Sequence, residues 1–145
     1  MKKLFVLLLV TFSLFGSDLI IKQSRCDVYQ TANILQKLIK AKGLHIFAKI
    51  NHSANAKSIN MQLPPAIMLI FGKAELGTKL MQQDPTAGLD LPLRVLIYQD
   101  KDNKTKIAYR DGSWLQNTHI LNAPKVIHKI SKGLDNLTNK AIECK

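Results

Sequence analysis

The sequence predicts a single α+β domain: a mainly antiparallel sheet of about five strands, with two long helices packed on one face. Three observations carry that prediction. Short stretches alternate apolar and polar residues, as in His45 to Asn51. Two longer stretches instead repeat their apolar residues every three or four positions. Finally, Leu93 to Tyr98 and Thr105 to Arg110 flank a charged turn, Asp100 to Lys104, and read as an antiparallel hairpin.

Each element has a local reason. Asp18 to Lys22 is a short strand. Asp27 followed three residues later by Gln30 is a capping-box-like start, and the helix it opens carries Val28, Ala32, Leu35, Leu38 and Ile39 on one side. Gly43 suits a left-handed cap that ends this helix. Ile46, Ala48 and Ile50 are expected on one face of the next strand, and His45, Phe47 and Lys49 on the other. Residues 52 to 60 are small and polar, a loop or short helix. After Pro64 and Pro65, Ala66 to Phe71 is continuously apolar, as in a strand covered on both faces. Ala74 to Gln83 has helical spacing through Leu76 and Leu80. Pro85 and Gly88 break the chain before the hairpin, and Ser113 to Thr118 reads as a helical turn. Pro124 opens the last helix, where Ile127, Ile130, Leu134, Leu137 and Ala141 make an amphipathic stripe.

Residues 1 to 17 read as a signal peptide and residues 18 to 145 as the mature domain. Lys2 and Lys3 supply the positive start, Leu4 to Phe15 the apolar run, and Gly16 and Ser17 a small-residue boundary before Asp18. A helix of about 12 residues rises roughly 18 Å, short of a hydrocarbon core of about 30 Å. The expected location is therefore the periplasm, with no stable membrane insertion once the signal is removed. Among 145 residues, 21 are Lys or Arg and 10 are Asp or Glu, a net charge of +11. The lysines are spread along the chain without interleaved aromatics, which points away from nucleic acid. Lys125, Lys129 and Lys132 share a helical face by spacing and read as a solvated face.

No constellation in the chain identifies a catalytic residue, a metal site or a cofactor. Gly72 to Lys79 resembles a phosphate loop only in part, because Thr78 and Lys79 stand in the reverse of the order that loop needs. His45, His52, His119 and His128 show no metal-binding helical spacing, and no Gly-x-Ser-x-Gly elbow is present. Two cysteines are too few for a disulfide-dense scaffold, but in an exported chain Cys26 and Cys144 are a candidate disulfide pinning the two ends together.

Several motifs occur in register. Pro65-Ala-Ile-Met-Leu-Ile-Phe-Gly72 is followed by Leu76-Gly77-Thr78, Leu80-Met81-Gln82, Pro85, Gly88 and Asp90-Leu-Pro-Leu-Arg94. Upstream stand Phe47-Ala-Lys-Ile-Asn-His52 and Ala54-Asn-Ala56, and downstream Ile97-Tyr98-Gln99-Asp100 and Tyr109. Together these resemble the domain of unknown function 302 family. Lys73-Ala74 departs from that family's usual Asn-Pro, and Asn51 stands where an aspartate commonly precedes the histidine. The resemblance implies a compact fold often likened to the TATA-binding-protein-like fold, and a homodimer. It implies no established reaction.

The resulting expectation is a non-catalytic periplasmic domain that binds a small molecule or another periplasmic protein. His52, Lys73, Asp90, Arg94 and His119 are the candidate ligand-contacting residues, with Arg94, Asp90 and His52 forming a polar floor for an anionic or carboxylate ligand. The alternative is a redox, metal or haem-handling protein using His52, His119 or the methionines Met61, Met68 and Met81.

Overall fold

The computed structural model describes residues 18–145; the expected signal, residues 1 to 17, lies outside the described residues. Five strands form one antiparallel sheet in the order β1-β5-β4-β3-β2: β1 is Ile20–Gln23, β2 His45–Asn51, β3 Ala66–Gly72, β4 Leu93–Gln99 and β5 Thr105–Tyr109. The helices are α1 (Val28–Ala41), α2 (His52–Ser58), α3 (Ala74–Met81), α4 (Gly112–Thr118) and α5 (Pro124–Ile142). A 3-10 turn, Pro85–Leu89, follows α3.

The caps are where the sequence puts them. The Asp27 carboxylate accepts from the Gln30 N–H at 2.8 Å and opens α1. Gly43, at φ +65°, follows its last turn in the left-handed conformation that favours glycine. Asn51 and Asp111 cap α2 and α4 in the same way as Asp27.

The core lies between one sheet face and the helices α1 and α5. Ile67, Leu69 and Phe71 of β3 meet Leu35 and Ile39 of α1 and Leu134 of α5 within one buried cluster. Burying each such side chain contributes about 1.5–3 kcal/mol. At Gly112 the first turn of α4 comes so close to α5 that a Cβ would overlap the Ile127 carbonyl, so only glycine fits. Its N–H donates to Ser131 Oγ at 3.1 Å. On the β1 edge, Lys22 Nζ donates to Asp135 Oδ1 at 2.6 Å, Asn139 Oδ1 at 2.6 Å and Thr138 Oγ1 at 2.9 Å, which fastens the edge strand to α5.

Two expectations change. A register shift between Ile46 and Ala48 marks a β-bulge: Ile46 pairs with Phe71, and Ala48 with Ile70. Phe71 and Ile70 point to opposite faces, so Ile46 joins the core while Ala48 and Ile50 turn away from it. The extra residue is Phe47. Second, β3 is not covered on both faces. Its burial alternates, with Met68 and Ile70 only half-buried, because α1 and α5 lie on one side of an antiparallel sheet.

Cys26 and Cys144 are joined as a disulfide, with their Cα atoms 5.9 Å apart and 118 residues apart in sequence. This bond links the residue before the α1 cap to the chain just past α5. Cys26→Ser is therefore expected to lower unfolding stability by about 2–5 kcal/mol, since the crosslink restricts the unfolded chain over a long loop. Urea unfolding of both forms without reductant, with alkylation and mass spectrometry to count thiols, checks this.

Candidate functional site

A cavity of about 900 Å³ lies where α1 ends, between α3 on one side and α5 on the other. Such a volume lies within the usual range for small-molecule sites. The buried side chains of Phe71, Leu80 and Leu134 form part of its wall, and the half-buried Leu76, Met81 and Leu93 extend it. Phe47, displaced by the bulge and 47% exposed, also lines it and packs edge-on against His45.

Its rim is basic. Lys42 caps α1, Lys73 caps α3, and Lys129 and Lys140 project from α5; all four line the cavity and are exposed. No aspartate or glutamate lines it. Two glycines face it from opposite walls, Gly77 in α3 and Gly133 in α5. A Cβ at either would meet nothing within 4 Å. Gly112 is fixed by a neighbour, but these two are not. Each sits inside a helix, where glycine costs about 0.5–1 kcal/mol relative to alanine.

Of the residues expected to contact a ligand, Lys73 alone lines this cavity. Asp90 and His119 are brought together elsewhere. His119 Nε2–H donates to Asp90 Oδ2 at 2.9 Å, and the imidazole is only 4% exposed. Thr86 Oγ1 lies 2.6 Å from Asp84 Oδ1 and 3.0 Å from His119 Nδ1. The shorter contact, to the carboxylate, engages the one proton of the Thr86 hydroxyl. A Thr-His-Asp string has the residue types of a nucleophilic relay, but that role needs the hydroxyl proton directed at the ring, and here Asp84 competes for it at the shorter distance. The group works as a clamp: Asp84 Oδ2 also accepts from the Ile120 N–H at 2.9 Å, holding the 85–90 segment against the end of α4.

Arg94 and His52 do not complete a polar floor. Arg94 pairs with Ile70 and donates to the Leu89 carbonyl, on the sheet face opposite the core. His52 follows Asn51, which pairs with Ile67, three residues along β3 from the Arg94 position. At about 3.4 Å per residue the two stand at different ends of the sheet. The residues missed from sequence are Lys42, Lys129, Lys140, Gly77 and Gly133. The available signal was the spacing of Lys129, Gly133, Asn136 and Lys140 along one stripe of α5. Lys129 is exposed, as expected for a solvated face, and also lines the cavity, whereas Lys125 and Lys132 do not.

The model of the family described as "Domain of unknown function DUF302" matches residues 20–139. A crystal structure of an uncharacterized conserved DUF302 protein from Bacillus stearothermophilus superposes with a TM-score of 0.68 at 14% identity, covering 88% of this chain and 97% of that one. Among curated proteins, "Fluoride-specific ion channel FluC 1" of Brucella suis biovar 1 is 37% identical over 109 residues, 75% of this chain and 43% of the relative. "Fluoride-specific ion channel FluC 2" of Brucella melitensis biotype 1 is also 37% identical, over 75% of this chain and 40% of the relative. The chain thus spans well under half the length of these curated relatives.

Two outcomes follow from this geometry. The Thr86 hydroxyl, the Ile120 and Thr86 N–H groups and, least, His119 hold the Asp84 carboxyl below its ordinary value of 3.8 against the opposing effect of burial. A depressed folded-state value stabilises the fold above the ordinary carboxylate range, and the effect fades as pH falls through the folded value. Asp84→Asn is expected to lower the urea midpoint at pH 7, with the gap closing below pH 3.8. In contrast, Gly77→Ala and Gly133→Ala should each raise stability by about 0.4–1 kcal/mol, measured by thermal and urea unfolding, because both fit without contact.

Proposed function

The chain belongs to the DUF302 family, and from that premise we propose that it is an exported, non-catalytic binding domain whose ligand site is the cavity between α1, α3 and α5. One observation carries the reading: a concave, mostly apolar site of about 900 Å³ with a few polar groups confined to its rim. The helix glycines support it, since they leave space that alanine would fill at a gain in stability. Export rests on the positive, apolar and small-residue succession at the start of the sequence, and the Cys26–Cys144 bond suits an oxidising compartment.

The channel name of the curated relatives contributes nothing to this reading, because the chain matches well under half of each. Among the described residues, no helix is long and apolar enough to cross a membrane. A homodimer, implied by the family resemblance, fits best on the sheet face away from the core. There the half-buried Ile50, Met68, Ile70 and Leu96 form an apolar patch.

Protein purified from the periplasm of its native host is expected to begin near Ser17 or Asp18 and to carry one small molecule per chain in native mass spectrometry. That molecule should be missing from Gly133→Leu, whose side chain occupies the cavity. Recovery of the undegraded chain in the cytosol would overturn the export reading, and wild type indistinguishable from Gly133→Leu would overturn the binding reading.

A further inference from the structure

We infer that the cavity is built for an amphipathic anion, with an apolar body against the Phe71–Leu80–Leu134 wall and a carboxylate or phosphate head at the lysine rim. This rests on the binding-site reading above and adds the ligand's chemistry to it.

Charge is the first argument. Lys42, Lys73, Lys129 and Lys140 come from the ends of α1 and α3 and from two turns of α5, yet converge on one opening. None makes a side-chain hydrogen bond or ion pair among the described residues, whereas Lys22, Lys79 and Lys106 are all paired. No carboxylate lines the cavity, and Glu75, the acidic group that Lys73 and Lys129 reach, is paired with Lys79. The nearby Glu75 reports the resulting field. Its carboxyl is held below the ordinary value first by Lys79, and also by Lys73 of α3 and Lys129 of α5. Two rim lysines on facing helices thus act on the same negative group.

Shape is the second argument. A surface patch of lysines alone would hold an anion weakly and with strong screening by salt. Here the charge borders a mostly apolar cavity of about 900 Å³, so a ligand can lose apolar surface to the wall while its head stays at the partly hydrated rim. Lys73 also caps α3 without any side-chain bond to its first turn, and Lys73 and Ala74 both line the cavity. A wholly apolar ligand would use the wall and leave the rim idle, and a small hydrophilic anion would do the reverse.

Isothermal titration with decanoate, decyl phosphate and 1-decanol, at equal ionic strength, tests this. Both anions are expected to bind at least about tenfold tighter than decanol, corresponding to 1.4 kcal/mol. The ratio of the two anions identifies the preferred head. The double substitution Lys73→Gln with Lys129→Gln, at exposed positions, should bring the anions toward the decanol affinity while leaving decanol unchanged. Gly133→Leu should abolish all binding with its circular dichroism intact. Decanol binding as tightly as decanoate would overturn the anion inference and leave the cavity reading standing. No binding of any probe would overturn both. Binding to phosphatidylglycerol vesicles without binding to free decanoate or decyl phosphate would assign the lysines to a membrane surface and overturn the inference.

Discussion

The packing of α5 against α1 over one face of the sheet is the constraint on which the rest of the molecule depends. The two helices come from opposite ends of the described chain, so their contact closes the domain. Leu35 and Ile39 of α1 and Leu134 and Leu137 of α5 share the buried cluster with Leu69 and Phe71 of β3. The disulfide sits where α1 begins and α5 ends, and Lys22 ties the β1 edge to the same stretch of α5. Covalent, ionic and apolar terms thus act on one seam. Fixing α5 also fixes α4, through the close approach of Gly112 to Ile127.

That seam also creates the opening. At its C-terminal end α1 stops at Lys42, and the chain reverses through Gly43 into the β2 edge strand. α3 leaves the end of β3 beside it but contributes only Leu80 to the fully buried core. The space between these elements is left open, and the glycines in α3 and α5 widen it. A well-packed core and an unfilled cavity thus share residues: Phe71, Leu80 and Leu134 belong to both. Occupancy of the site by an apolar group would extend the core and stabilise the folded state by mass action.

The fold was legible in the sequence because its determinants are local. Asp27 and Gly43 mark the ends of α1, the stripe from Ile127 to Ala141 marks α5, and alternation marks β4. The bulge at Phe47 was not legible, since its only signature is a change of pairing partner on β3. The site was harder still. Asp90 and His119 are chemically prominent residues on loops, yet they satisfy each other. The cavity instead gathers lysines from three helices with two glycines, and neither type stands out by itself. Convergence of α1, α3 and α5 at one opening is a long-range property that residue spacing within a single element does not encode. Lys73 was picked out through the family motif it interrupts, a signal independent of spacing.

The bulge in β2 has a further consequence. Among the described residues the sheet ends on β1 and β2, and an unpaired row of backbone groups on an edge strand is a template for uncontrolled stacking of chains. β1 limits that hazard by being only four residues long. β2 is longer, but the extra residue interrupts its ladder and increases its twist, and the charged Lys49 stands two residues on. The irregularity that sends Phe47 to the cavity therefore also makes the outer strand a poorer template for pairing with another sheet.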